Sequence, residues 1–128
     1  MTYLVDTNIL IEILFEQKEG SKCEQFLNNH IDHLFLSDFS LHSIGVILFR
    51  NQREELFEEF CNDVLPEISI LSLPKGVYSE ITSLVEKLNL DFDDAYQVLV
   101  AKEFDLKIVT LDKDFKRASK LVSIEFLS

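Results

Sequence analysis

Residues 3–8 read YLVDTN, a short apolar run that ends at a carboxylate and continues into polar residues. The run Tyr3–Val5 predicts a short buried strand, and the three residues after it are all good helix-capping types. The segment from Ile9 to Glu16 is therefore predicted to form a helix directly after the strand. A strand followed at once by a helix is typical of an α/β fold.

Strand-like and helix-like segments alternate along the rest of the sequence. Further strands are predicted at 33–36, 68–71, 106–111 and 122–126. Further helices are predicted at 21–31, 40–49, 54–65, from Pro74 to Leu88, and from Phe92 onward. Near-continuous apolar strands in this alternation predict a parallel sheet with helices on both faces, a three-layer α/β/α architecture. The length fits a single domain over residues 1–128.

The composition limits the classes of protein that this sequence can encode. With 23 acidic and 12 basic residues the formal net charge is −11, which argues against binding nucleic acid through overall charge. A hydrophobic fraction of 47% excludes a disordered acidic chain. The longest stretch without Asp, Glu, Lys or Arg is Phe39–Phe49, much shorter than the roughly 20 residues of a membrane span, so no membrane segment is expected. Two cysteines make neither a disulfide framework nor a zinc quartet, which favours the cytoplasm.

Carboxylates follow two of the predicted strands. Asp6 comes directly after the first strand, and Asp112 lies just past the strand that contains Ile108–Thr110. The helix before that strand opens with three more acids, Asp91, Asp93 and Asp94. Because ligands of parallel sheets bind outside the carboxyl ends of the strands, these acids are expected to meet at one edge. Two carboxylates about 4 Å apart repel by roughly 4 kcal/mol, so the cluster predicts a bound Mg²⁺ or Mn²⁺ ion, both of which prefer oxygen ligands.

Each of these carboxylates also has an ordinary structural interpretation. Asp6 is a good helix cap, and so is Asp91. Asp93 lies about 200° from Asp91 around the helix and is expected to face solvent. Asp112 is a common type of turn residue. Both interpretations stay open for each residue, and the joint placement of the acids at strand ends favours a metal site.

Three segments resemble the sequence signature of PIN domains. Residues 4–10, LVDTNIL, resemble the opening of that family, and Asp94-Ala95 followed by Ala101 resembles the helix that carries its third acid. Residues 108–115, IVTLDKDF, resemble its closing T-x-D-x-D-F segment. The segments stand in the family's order and cover nearly the whole chain. The resemblance implies a Rossmann-like parallel sheet and a Mg²⁺- or Mn²⁺-dependent ribonuclease, as in the VapC-type toxins of toxin–antitoxin pairs.

The resemblance also implies roles for individual residues. Asp6, Asp94 and Asp112 match the first, third and fourth acids of the family and are the expected catalytic and metal-binding residues. Asp91 is a further candidate metal ligand. Thr110 matches the polar residue that supports the site, and we group it with the residues expected at the substrate. The implied reaction is hydrolysis of an RNA phosphodiester bond.

The sequence departs from the family at the second acid. PIN domains usually carry a Glu in the helix after the second strand, and Ser43 stands at that position. A serine can form hydrogen bonds but supplies no charge, so a weaker metal site is expected, and the number of ions, one or two, stays open. Asp38 and Asp91 are candidates to compensate for the missing acid. The alternative function is a degenerate PIN domain that binds RNA or protein without catalysis.

Four basic residues cluster near the end of the chain: Lys113, Lys116, Arg117 and Lys120. The cluster is either a patch that binds RNA phosphates, with Lys113 and Lys116 as substrate-binding residues, or a solvated helix face. Single-stranded RNA suits an open cleft better than a duplex. The resemblance also implies an antitoxin protein as partner. The helical segment 52–65 is a candidate surface for the antitoxin or for a homodimer, and core packing explains it equally well.

Two other classes of protein fit the sequence less well. A receiver-type signalling domain needs an Asp after its central strand, and residues 68–72, ISILS, contain none. A phosphatase with an Asp nucleophile needs D-x-D after the first strand, and Asp6 is followed by Thr and Asn. The aromatic residues Phe92, Tyr96 and Phe115 are expected to pack in the core rather than stack on bases.

Overall fold

A computed structural model describes residues 1–127 of the chain, and this part contains five strands and six α-helices. The strands are β1 Tyr3–Val5, β2 Leu34–Ser37, β3 Ser69–Leu71, β4 Lys107–Thr110 and β5 Ile124–Phe126. The helices are α1 Thr7–Leu14, α2 Gly20–Asn29, α3 Asp38–Arg50, α4 Glu54–Asp63, α5 Glu80–Leu88 and α6 Phe92–Phe104. Within residues 1–127, no helix combines the length and the apolar character that crossing a membrane requires.

The five strands form one parallel sheet in the order β3-β2-β1-β4-β5. Strand β1 lies in the centre, where Leu4 pairs with Phe35 of β2 on one side and with Ile108 of β4 on the other. All strands therefore present their carboxyl ends at the same edge of the sheet. The predicted α/β class and parallel sheet are confirmed.

Neighbouring residues of each strand point to opposite faces of the sheet. Because both sets of side chains are apolar here, helices cover both faces. Leu4 of β1 and Ile108 of β4 belong to a buried cluster with apolar residues of α5 and α6. Val5 and Val109 belong to a second cluster with residues of α1, α2, α3 and α4. Each cluster is the interface between one face of the sheet and the helices that cover it. The domain therefore has three layers, α/β/α, as predicted.

The largest difference from the predicted elements lies after Pro74. This residue was expected to start a helix, but it precedes a single 3₁₀ turn at Lys75–Val77, and α5 begins only at Glu80. Gly76 in the middle of the turn disfavours an α-helix. The apolar side chains of the segment still reach the core, since Val77 packs against the α5–α6 cluster.

Candidate active site

Asp6 is a buried carboxylate at the carboxyl end of the central strand. Its backbone N–H donates to the carbonyl of Val109, which extends the β1–β4 pairing by one residue. The side chain is only 4% exposed and makes no capping hydrogen bond to α1. The interpretation of Asp6 as a simple helix cap is therefore wrong. The carboxylate of Asp6 is directed to other partners than the first turn of α1.

Two side-chain donors hold Asp6 in place. The Thr110 hydroxyl donates to Oδ2 at 2.7 Å, and the Gln97 amide donates to Oδ1 at 2.7 Å. Burial raises the pKa of Asp6, and the hydrogen bonds from Thr110 and Gln97 act in the opposite direction. Each carboxylate oxygen has a second lone pair, so both oxygens can still accept a further partner.

Thr110 connects the ends of β1 and β4. While its hydroxyl donates to Asp6, the same oxygen accepts the backbone N–H of Asp112 at 2.9 Å. This contact fixes the chain as it leaves β4 and turns Asp112 toward the carboxyl edge of the sheet. Thr110 is 0% exposed, and its hydroxyl contacts Asp6 and the Asp112 backbone, an arrangement that suits support of the site better than contact with substrate.

Gln97 is a buried partner of Asp6 that the sequence analysis missed. It lies on α6, is buried, and bridges Asp6 to α3 through its carbonyl, which accepts from the Ser40 hydroxyl at 3.3 Å. Ser40 in turn accepts from Thr7 at 2.8 Å. The signal was present in the sequence, because Gln97 is the only polar side chain between Ala95 and Ala101 apart from the Tyr96 hydroxyl, and it follows Asp94 by three residues.

Asp94 lies in the first turn of α6, where several acids influence it. Burial raises its pKa to about 7, and the negative charges of Asp6, Asp93, Asp112 and Asp91 act in the same direction. The side chain is partly buried. Burial is the larger cause of the raised pKa and the neighbouring carboxylates add to it, so a cation bound beside Asp94 would favour its charged form.

The donor chemistry of this cluster fits a hard divalent ion, although the carboxylates do not form a closed cage. Carboxylate oxygens are the ligands that Mg²⁺ and Mn²⁺ prefer. Within residues 1–127, no three His, Cys, Asp or Glu side chains lie close enough together to hold a metal ion as arranged. Asp94 and Asp112 are partly buried, and Asp112 Oδ1 accepts the Asp114 N–H at 2.9 Å, so Asp112 also has the turn role that its residue type suggests.

The other predicted site residues are distributed around this centre. Asp91 is exposed and, as the residue before α6, forms no side-chain cap. Asp38 accepts from the Tyr96 hydroxyl at 2.6 Å and from the Phe39 N–H at 2.8 Å, so it supports the fold. Ser43 is partly buried on α3, one turn after Ser40, the α3 side chain that joins the hydrogen-bond network.

Three residues of the basic cluster, Lys113, Lys116 and Arg117, lie on a 3₁₀ helix at Lys113–Ala118 after β4, and Lys120 follows in a turn. Lys113 and Lys116 are exposed, and the Lys113 ammonium lies over the Phe126 ring at 5.0 Å. Arg117 donates to the carbonyl of Asn89 at 2.9 Å and pairs with Asp114 at 3.6 Å. Of these cations, Arg117 therefore has a clear structural role.

The expectation that the aromatic residues pack in the core is right for two of them and wrong for one. Tyr96 and Phe115 are buried. Phe92 is 55% exposed, because it is the first residue of α6 and extends past the edge of the core. The N-terminal end of α6 thus carries an exposed aromatic ring next to the acids.

Comparisons with known proteins agree with this architecture. The family profile described as PIN domain matches residues 3–121. Curated protein sequences gave no significant match. A solved structure of VapBC2 from Rickettsia felis, bound to a DNA fragment from their promoter, has a TM-score of 0.82 at 18% identity and covers 100% of both chains.

Two further solved structures share the fold. The Mycobacterium tuberculosis toxin VapC20, described as cleaving the sarcin–ricin loop, has a TM-score of 0.80 at 13% identity, covering 97% of this chain and 99% of that one. A toxin–antitoxin complex from Klebsiella pneumoniae has a TM-score of 0.77 at 19% identity, covering 99% and 98%. At these identities the likeness concerns the fold. The profile match extends over most of the sequence, and the chain therefore belongs to the PIN domain family.

Proposed function

We propose that this PIN domain is an endoribonuclease that hydrolyses phosphodiester bonds of single-stranded RNA with the help of Mg²⁺ or Mn²⁺. The observation that carries the proposal is that the Thr110 hydroxyl links the ends of β1 and β4. It donates to the Asp6 carboxylate and accepts the backbone N–H of Asp112. Asp94 is near enough to respond to the charges of both acids. Membership of the PIN family and the toxin described as cleaving the sarcin–ricin loop support the assignment.

In this proposal Asp6, Asp94 and Asp112 hold the ion and Asp91 extends the same negative edge. When bound, the ion supplies Lewis-acid chemistry that stabilises negative charge on a phosphate. Gln97 and Thr110 keep the Asp6 carboxylate in one orientation through their two hydrogen bonds. The attacking water would be oriented by an exposed carboxylate, that of Asp114 or Asp91.

We further propose that the chain is the toxin of a toxin–antitoxin pair. The Klebsiella and Rickettsia structures that share its fold are such complexes. An apolar hollow of about 260 Å³, lined by Leu10, Leu27, Phe60 and neighbouring residues, is bordered by the acids Glu24, Asp63 and Glu67 and suits a partner segment with apolar and basic side chains. The expected result is a co-purifying protein from the native host that suppresses RNA cleavage.

A homodimer is also proposed. The expected mass in sedimentation is twice the 14.9 kDa of one chain. A single species at 14.9 kDa over a wide concentration range would exclude the dimer.

The nuclease assignment is tested by an RNA cleavage assay with Mn²⁺. Asp94→Asn should lower the rate by about 100-fold or more, because it removes a charge that the ion needs. Asp105→Asn is the matched control, with the same substitution on an exposed residue at the opposite end of α6. Asn tolerates the left-handed backbone of Asp105, where φ is 55°, so this control should cleave like the wild type. Equal cleavage by Asp94→Asn and wild type would remove the proposed active site.

The second candidate is a non-catalytic PIN domain. The serine at position 43 and the lack of a ready three-carboxylate cage among residues 1–127 favour it. Calorimetric titration with Mn²⁺ separates the two. Saturable binding that Asp6→Asn weakens supports the nuclease, while no binding by either protein supports the scaffold.

A further inference from the structure

A hollow of about 410 Å³ lies beside the acids, at the carboxyl end of β2. It is lined by Asp38, Phe39, His42, Tyr78, Phe92 and Tyr96. Asp38 and Phe92 begin α3 and α6, the two helices that also carry Ser40, Asp94 and Gln97. The volume is within the range of small-ligand sites. The hollow is thus built from the same helix ends as the candidate active site but from different side chains.

The floor of this hollow is fixed by hydrogen bonds. The buried Tyr96 hydroxyl donates to Asp38 Oδ1 at 2.6 Å and accepts from the Leu73 N–H at 3.0 Å. Its ring lies 5.9 Å from the Phe39 ring and 5.7 Å from the Tyr78 ring. The groups beneath the hollow are therefore held in place before any ligand arrives.

The rim of the hollow, in contrast, consists of exposed aromatic rings. Phe92 is 55% exposed and Tyr78 is 45% exposed. Single exposed apolar residues are ordinary. Two exposed aromatic side chains that line one hollow form an apolar patch in contact with water. A flat ligand that covers these rings would recover the free energy of burying them.

The position of Phe92 restricts what that ligand can be. Phe92 stands between Asp91 and Asp93 and only two residues before Asp94, about 3 Å along the helix axis. Phosphate groups are repelled by this acidic edge of a protein with net charge −11 wherever no cation offsets the carboxylates. A nucleobase is flat and uncharged, and its polar edge can meet Asp38 and His42 at the side of the hollow.

We propose that this hollow is a nucleobase-binding subsite in which Phe92, together with Tyr78, stacks on an unpaired base next to the phosphodiester at the acids. The proposal rests on the proposed function, because it assigns RNA as the substrate of that site. Stacking tolerates any base, so the subsite places the strand and does not read its sequence. It also explains how an acidic protein holds RNA: an uncharged base makes the contact beside the acids.

The subsite is tested by binding in EDTA, which keeps cleavage out of the measurement. The probe is a single-stranded RNA of about 10 nucleotides that contains 2-aminopurine, whose fluorescence falls when the base stacks on an aromatic ring. Phe92→Ala should weaken binding by about 5- to 150-fold and abolish the quenching. Phe104→Ala is the matched control, since Phe104 is 40% exposed at the other end of α6 and should leave both signals unchanged.

The outcomes separate this proposal from the nuclease assignment. Wild-type affinity and quenching in Phe92→Ala refute the subsite, even if the wild type cleaves RNA. Lost quenching in Phe92→Ala supports the subsite, whether or not the wild type cleaves RNA. Absence of cleavage by the wild type with Mn²⁺ counts only against the nuclease. If Phe92→Ala instead turns a dimer into a monomer and leaves quenching intact, the hollow is an interface between two copies and the subsite is refuted.

Discussion

Gln97 shows how much the site depends on residues that carry no charge. Its amide donates to Asp6 and its carbonyl accepts from Ser40, so one side chain joins β1, α3 and α6 at the acids. Within residues 1–127, every buried polar side-chain atom has a hydrogen-bond partner. The site is therefore a complete polar network, and removal of one member leaves others unpaired.

Replacing Gln97 with Met keeps the length of the side chain and removes both hydrogen bonds. Gln97→Met is expected to lower the free energy of unfolding by about 1–3 kcal/mol, because Asp6 stays buried with one donor fewer. Urea denaturation measures this change. Gln25→Met, on the exposed face of α2, makes the same chemical change and should stay within about 0.5 kcal/mol of the wild type. Equal effects of the two substitutions would show that the network contributes nothing.

The raised pKa of Asp94 makes stability depend on pH. Because its folded-state pKa of about 7 exceeds the ordinary 3.8, the folded protein binds this proton more tightly than the unfolded chain does. In EDTA the free energy of unfolding should therefore fall as the pH rises from about 4 to about 7. Asp6, with a pKa raised by burial, acts in the same direction.

Thermal unfolding at pH 5 and pH 8 in EDTA tests this prediction. Asp94→Asn should raise Tm at pH 8 by about 3–6 °C and leave it nearly unchanged at pH 5, where the wild-type group is already neutral. Asp105→Asn serves again as the control at the far end of α6. A Tm for Asp94→Asn that follows the wild type at both pH values would contradict the assigned burial and repulsion.

At the scale of elements, the sequence predicts the strands and helices well because each has a strong local signal. Residues 3–5, 34–36 and 108–109 are short apolar runs, and all three lie in strands of the central sheet. Their order along the chain, with a helix after each, leaves few arrangements other than a parallel sheet. The acids at strand ends could be predicted for the same reason, since their place follows from the topology alone.

What could not be predicted depends on where an element ends relative to its neighbours. Helix α6 is buried without interruption from Ala95 to Ala101, so its middle is enclosed on all sides. Its two ends extend past the core, and Phe92 and Phe104 are exposed there. Helical spacing assigns Phe92 to the same face as Tyr96. It does not show that the buried part of the helix begins only at Ala95, after Phe92. The partner of Gln97 likewise depends on a contact between residues 91 positions apart.

At the scale of the whole molecule, the acidic charge decides how RNA can be bound. A net charge of −11 repels phosphates, so contact requires local cations, of which Lys113 and Lys116 are exposed beside Asp112. Arg117 is held by Asn89 and Asp114 and contributes less to such a patch. An uncharged base at the hollow and a few phosphates at these lysines would together give an affinity that depends only weakly on salt.

The salt dependence of RNA binding tests the role of Lys113 and Lys116. If each neutralises one phosphate of single-stranded RNA, replacing both by Ala should reduce the slope of log affinity against log salt by about 1.4, since each contact contributes about 0.7. The control replaces Lys18 and Lys22 by Ala. Both are exposed near the start of α2, far in sequence from Lys113 and Lys116, and their loss makes the same change in net charge. A slope reduced equally by both pairs would mean that overall charge, rather than contact at these two lysines, governs binding. A slope reduced only by the first pair would place a phosphate beside Asp112, where the reaction requires one.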